Sequence, residues 1–435
     1  MPAPALPSVR TPWIATLILT AVYTVHSIDR YLIAAVIEPI RHEFHLTDTQ
    51  LGALGGLAHA IAFAICVLPI GWLLDRVNRV RLLSAMLATW STITALGALA
   101  TGYWHVFMVR MGVGAAESAS APATQSLIAS LFPVNERASA LGVVFSGLAI
   151  GTGIAFAIGG AVSDAWGWRA VFLVAGLPGL LLAAFMWFAV PEPPRTHAQE
   201  KTAAEAPPIA EVLAFVGRSP QVGLTIAGLT IATMSSASIW VWTTPVLVRQ
   251  HGMTLTEAGL IVGTASGLMK FISTAGAGFL ADWLAKSRVD RLWIVPSCAL
   301  ALSAPVCIAM GLTESKSIVI GLVWTLGLTM GAHYSAPKAT IASVTPSQMR
   351  GSVAAIQELM INLIGGGFGP LLTGFLSDFL GGRGSAGRAL GAVVSMNVIA
   401  AGCFWLASKW AEPTAGDRAA APASARPRAG QNDSA

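Results

Sequence analysis

The chain has 435 residues, 54% of them hydrophobic and only 11% charged, with a mean hydropathy of +0.68. Soluble domains carry about 25% charged residues, so an ordinary soluble enzyme and a largely disordered chain are both excluded. The formal charge of +5 sits in loop belts rather than in a basic patch interleaved with aromatics, so nucleic acid is not an expected partner.

A helix needs about 20 apolar residues to cross a bilayer, and open strands cannot cross one. In chain order, apolar segments at roughly 13–37, 50–74, 80–101, 104–130, 138–162 and 170–190 predict six spans. Segments at 220–248, 257–281, 291–311, 317–343, 352–380 and 388–410 predict six more. The first segment runs on through Tyr23, His26 and Asp29 to Ile37 without a small-residue cleavage site, and so reads as an uncleaved span. The break between the sixes, PEPPRTHAQEKTAAEAPP, is polar and Pro-rich, and the following IAEVLAFVGR reads as a short interfacial helix. The expected organisation is a first six-helix half at 1–190, a cytoplasmic linker at 191–219, a second half at 220–411 and a disordered cytoplasmic tail at 412–435. Cys66, Cys298, Cys307 and Cys403 lie in apolar runs with no C-x-x-C pair, and read as packing residues rather than disulfides or metal ligands.

With both termini on one side, that side holds sixteen loop or terminal Lys and Arg residues, among them Arg76, Arg79, Arg81 and Arg137, against six on the other. The positive-inside rule then places both termini in the cytoplasm. A Gly-x-x-x-Asp unit closes spans 2, 5, 8 and 11, as Gly71–Asp75, Gly160–Asp164, Gly278–Asp282 and Gly374–Asp378, at spacings of 89, 118 and 96 residues. Two copies fall on each side of the membrane, as inverted three-helix repeats inside each half require. The fold class expected is therefore an all-α membrane protein of twelve transmembrane helices in two pseudo-symmetric six-helix halves, built as a secondary transporter with its site between them.

The loop after span 2, Gly71-Trp-Leu-Leu-Asp75-Arg76-Val-Asn-Arg79, resembles the G-x-L-x-D-R-x-G-R signature of the major facilitator superfamily, with Asn78 in place of the usual Gly. The resemblance implies that Asp75, Arg76 and Arg79 gate the cytoplasmic side, Asp75 facing the start of span 11, where a carboxylate gains from the helix dipole. Ile28-Asp29-Arg30-Tyr31 in span 1 and Arg110-Met-Gly112-Val-Gly114-Ala-Ala-Glu117 in span 4 resemble the Spinster-type lipid transporters, with Met111 and Ser118 departing from their pattern. Sugar-acid and organic-anion symporters of the same superfamily carry similar span 1 charges.

Charges at span depth cost several kcal/mol unless paired or wet, so each needs a reason. At about 1.5 Å per residue, Arg110 lies about 9 Å deep, Asp29 about 12 Å and Glu117 about 20 Å. Arg110 and Glu117 are seven apart on one face, with Gly114 between them leaving room for a partner. A triad of Asp29, Arg110 and Glu117 is expected to couple protons, because one guanidinium cannot neutralise two carboxylates; the alternative is a static network that only orients helices. Arg30 and Tyr31 are expected to meet an anionic head group, by the resemblance. His59 can join the cavity from span 2. In the second half Lys338 and Glu358 form a candidate ion pair, Glu358 and Asn362 share a face, Lys270 sits mid-span 8, and Trp240 can pack on a lipid tail or a sugar ring.

No phosphate loop, H-E-x-x-H, G-x-S-x-G elbow or Cys/His metal cluster occurs, so no enzyme activity, cofactor or metal is expected. The expected function is proton-coupled transport by alternating access, in the bacterial inner membrane and as a monomer, of an amphiphile such as a lysophospholipid or sphingoid-type lipid. The alternatives are symport of a small organic anion or sugar acid and, in a different class, a receptor that binds without transport.

Overall fold

The computed structural model describes residues 10–74, 76–133, 135–193, 208–285, 289–346 and 348–410. The expectations for Asp75, for most of the linker and for the tail lie outside these residues. Among the described residues the chain is helical, with no strand.

Ten helices are long and apolar enough to cross a membrane: Asp48–Leu74, Arg79–Leu99, Arg137–Trp166, Trp168–Ala189, Pro220–His251, Leu255–Ala281, Arg291–Leu312, Lys316–Val344, Arg350–Leu380 and Ser385–Ser408. Span 1, Arg10–Ala35, and span 4, built from Tyr103–Glu117 and Ser120–Leu131, complete the twelve. Span 4 is interrupted after Glu117, so neither of its pieces is long enough alone. A short helix, Ile37–Phe44, follows span 1, and its Glu43 accepts hydrogen bonds from Arg169 and from the Trp168 indole at the start of span 6. The helix Ile209–Arg218 buries Val212 and packs Phe215 and Val216 on the second-half core, leaving Ile209 and Leu213 exposed.

Small residues set how closely the spans approach, as expected where lipid supplies no hydrophobic drive between helices. Gly147 and Gly151 of span 5 lie against the backbone of Thr20 and Thr24 of span 1, where any Cβ would collide. Ser27 stitches the same seam by donating to the Leu148 carbonyl at 2.8 Å.

The two halves pack together from mid-depth, where Gly56 meets Gly366 and Gly367 and Gly267 meets Gly153, to one end. There Gly374 of span 11 admits the backbone of Asp48 and Thr49, the start of span 2. Asp378 then accepts from the Asp48 N–H at 3.0 Å, the Thr49 N–H at 2.8 Å and the Thr49 hydroxyl at 2.6 Å. Gly160 of span 5 admits Leu255 and Thr256, the start of span 8, in the same way, and Asp164 accepts from the Thr256 N–H at 2.7 Å and its hydroxyl at 2.6 Å. Each carboxylate thus sits on the positive end of a helix from the opposite half. Arg249 of span 7 adds a fork, donating to Glu38 at 2.8 Å and to Asp48 at 2.8 and 2.9 Å.

At the other end the spans splay. A Cβ on Gly71, Gly142, Gly276 or Gly351 would meet nothing within 4 Å, and one on Gly278 would find only the Ser335 hydroxyl at 3.9 Å. The central cavity therefore opens towards the basic loops.

Candidate functional site

Three spans carry a π-helical stretch at mid-depth: Ala53–Leu57, Thr264–Met269 and Met360–Phe368. Such stretches widen a helix locally and often mark functional sites. Here they put Gly55, Gly56 and Gly366 on the cavity wall and end just before Lys270. The cavity, counted with the solvent space at its mouth, measures about 590 Å³. Its first-half wall holds Arg30, Tyr31, His59 and Arg110; its second-half wall holds Thr233, Ser236, Lys270, Tyr334 and Asn362. Among the described residues, no carboxylate lines it.

Arg30, Tyr31, His59 and Asn362, expected as binding residues, line this cavity together with Arg110, which was expected in the proton-coupling triad. Arg30 donates to the Asn362 side-chain Oδ1 at 3.0 Å, a hydrogen bond that crosses the cavity from span 1 to span 11. Asn362 in turn donates to the Glu358 backbone carbonyl at 2.9 Å. Lys338 and Glu358 pair at 2.7 Å as expected, at an exposed position on the edge of the cavity, where Glu358 also accepts from the Asn362 side-chain amide at 3.3 Å and the Lys338 ammonium lies 5.5 Å from the Tyr334 ring centre. Trp240 lies off the wall: it is buried, donates to Ser236 at 3.2 Å, and stands behind Lys270, whose ammonium is 5.8 Å from its ring centre. The reason is rotation about span 7, which turns Trp240 and Trp242 into the second-half core and leaves Thr233 and Ser236 on the cavity face.

Asp29, Arg110 and Glu117 lie at neighbouring depths but do not form a directly bonded triad. Arg110 is 3% exposed and spends its guanidinium on backbone, donating to the carbonyls of Asp29 at 2.8 Å and Arg30 at 3.1 Å. It pins the turn that presents Arg30 to the cavity. The Asp29 side chain, 1% exposed, points the other way, beside Trp90 and Thr94 of span 3, and neither of its oxygens completes a hydrogen bond.

Glu117 belongs to a different cluster. It is fully buried, 2.8 Å from His59 Nε2 and 3.4 Å from His26 Nδ1. Gly114 makes this possible: it lies against the His59 backbone, where any Cβ would collide, so span 2 comes close enough for the imidazole to reach one turn along span 4. The open face at Gly114 was legible in the sequence, but its occupant was not. His59 is thus both a wall of the cavity and the partner of Glu117, and a proton on either keeps their hydrogen bond, with the roles of donor and acceptor exchanged.

Arg76 and Arg79, expected to gate the cytoplasmic side, have first-half partners in this conformation. Arg76 donates to the Trp72 carbonyl at 3.0 Å and stacks 3.9 Å over its ring. Arg79 is buried and donates to Glu192 at 2.6 Å, to Ser126 at 3.0 Å and to Ser130 at 2.9 Å, fastening the end of span 6 to spans 3 and 4. Asp75, the residue expected to face span 11, lies outside the described residues, and among those residues neither Arg76 nor Arg79 bonds to the second half. Tyr334, which clusters with Lys338 on span 10, was a candidate for this wall, whereas Thr233, Ser236 and the glycines were not; the paired small polar residues of span 7 and the glycines of span 11 were the signals available.

Twelve helices in two six-helix halves, closed at one end around a polar mid-depth cavity, define a membrane transporter. A family model described as the Major Facilitator Superfamily matches residues 19–370, and the chain belongs to that superfamily. It is 28% identical over 410 residues to an MFS-type efflux pump of Mycolicibacterium smegmatis, covering 92% of this chain and 93% of that one. Against the D-galactonate transporter of Escherichia coli the identity is 25% over 382 residues, covering 81% and 86%. Among solved structures, a bacterial homologue of the human lysosomal transporter Spinster is 25% identical over 92% of this chain and 98% of that one, with a TM-score of 0.82 in its inward-facing unoccupied conformation. Its inward-facing occupied conformation gives 0.78. The Spinster resemblance of spans 1 and 4 thus extends to the fold.

Proposed function

We propose that this transporter moves an organic anion by proton-coupled alternating access, across a bacterial inner membrane, as a monomer and with both termini in the cytoplasm. The observation that carries the reading is the convergence of Arg30, Arg110 and Lys270 on one cavity whose wall, among the described residues, has no carboxylate. An anion entering from the open end replaces Asn362 as the acceptor for Arg30. Arginine suits this role because its planar fork matches a carboxylate. The proton is carried by Glu117 with His59, next to the bound anion, and Asp29 supplies a second buried carboxyl behind Arg110. The excess of basic loops at the open end supports a cytoplasmic opening. The Arg249 fork and the Asp164 and Asp378 caps then form the outer seal.

The second-half wall is hydroxyl- and amide-rich rather than apolar, which favours a compact polar anion such as a sugar acid over an amphiphile with a long tail. An anionic amphiphile is the second reading, supported by the likeness to the Spinster homologue. Uptake into proteoliposomes decides between them, with a labelled aldonate and a labelled lysophospholipid compared with and without an imposed pH gradient. Gradient-driven aldonate uptake that is lost in Arg30→Gln and no longer gradient-dependent in Glu117→Gln is the expected result. Lysophospholipid uptake alone overturns the sugar-acid reading, and uptake indifferent to the gradient overturns proton coupling.

A further inference from the structure

Lys270 is not needed to explain binding of a single negative group. Arg30, whose turn is pinned by the neighbouring Arg110, already provides a cationic subsite on the first-half wall. Lys270 faces the same cavity from the second-half wall, at the point where the π-helical stretch of span 8 returns to α-helix. Among the described residues it forms no ion pair. Its ammonium lies 5.8 Å from the ring centres of both Trp240 and Tyr334, which hold the charge in place without neutralising it. The other lysine of this half, Lys338, is already paired with Glu358 at 2.7 Å. A cation held at span depth without a counter-ion is costly, and a substrate that supplies the missing charge removes that cost. Beside Lys270 on the same wall stand the hydroxyls of Thr233, Ser236 and Tyr334, suited to a polyhydroxylated substrate rather than an apolar one.

We propose that Lys270 is a second anion subsite, opposite the Arg30 subsite, and that the preferred substrate is an organic dianion with a negative group at each end. This rests on the anion-carrier reading above and narrows it. Such a substrate touches both halves at once, so it favours the conformation in which the halves close around it, which is what a carrier requires of its cargo. Each end is recognised by charge-assisted hydrogen bonds, the stronger kind.

The test uses the purified full chain in detergent and three probes of one carbon skeleton: the aldarate, its monomethyl ester and the matching aldonate. The aldarate is expected to bind at least about tenfold more tightly than either monoanion, the factor one charge-assisted contact supplies. In Lys270→Gln that preference falls to within about threefold, and Lys270→Arg restores it. Wild-type binding of all three probes with equal affinity overturns the dianion proposal while leaving the anion reading intact. Failure of all three to bind overturns both. The wild-type comparison stands even if Lys270→Gln does not fold. A long-chain phosphomonoester, with both charges on one group, is the fourth probe; if it binds more tightly than the aldarate, the two-ended arrangement is wrong.

Discussion

The four Gly-x-x-x-Asp units are alike in sequence and unlike in what they do in this structure. At the closed end, Gly160 and Gly374 each receive the first turn of a helix from the other half, and Asp164 and Asp378 cap it. At the open end, Gly71 faces empty space and Gly278 has one neighbour at the edge of contact. The difference teaches that the unit is a two-part coupling: a glycine that permits backbone contact and a carboxylate that rewards it. Each helix that is received begins with a Thr capping box, Thr47 with Gln50 and Thr254 with Glu257, so one pattern prepares both acceptors. By the same pseudo-symmetry, closing the open end should engage the span 2 and span 8 copies and release the other two.

The contrast can be broken most strongly at Arg249. Among the described residues, Arg249→Met leaves Glu38 and Asp48 with only the more distant Arg41 as a cation, at 4.0 and 3.6 Å, a loss expected to cost the closed end up to about 3 kcal/mol. Spin-label distances across that end should lengthen in the variant; an unchanged distribution would mean that the fork is incidental. Gly374→Val comes next. Its side chain must displace the Asp48 backbone, at a cost of about 1–3 kcal/mol, and a cysteine placed near Thr49 should become accessible to reagents from that side. A smaller effect, about 1 kcal/mol, is expected for Asp378→Ala, which removes a cap. Asp164→Ala should do less, since it accepts from one residue rather than two. Equal losses of thermal stability in the two would argue that capping is not what separates them. The smallest effect on this conformation belongs to Gly71→Ala, within about 0.5 kcal/mol because the site is empty. Yet it should slow transport by hindering closure of the open end, and normal turnover in that variant would separate span 2 from the coupling.

Much of this was legible along the chain. Apolar length placed the spans, and the Gly-x-x-x-Asp repeat and the span 2–3 loop announced the superfamily, because the bilayer forces every backbone hydrogen bond to be satisfied within a helix. Depth could be counted too, which is why Asp29 was expected at a level between Arg110 and Glu117. Partners could not be read in this way. A sequence gives the face of a residue on its own helix but not which helix that face meets, nor how each helix is rotated. Rotation sent Asp29 to span 3, turned Trp240 into the core and aimed Arg110 at backbone carbonyls instead of carboxylates.

By itself, then, the sequence determined the twelve helices, their pairing into inverted repeats and the stock of charges at mid-depth. These follow from local hydropathy and helical period, which act within one segment. Only the tertiary structure decided that Gly114 admits span 2, so that Glu117 meets His59 rather than Arg110, and that Lys270 faces the cavity with no counter-ion among the described residues. Those outcomes depend on how closely two helices approach and at what rotation, which only packing between segments distant along the chain can settle.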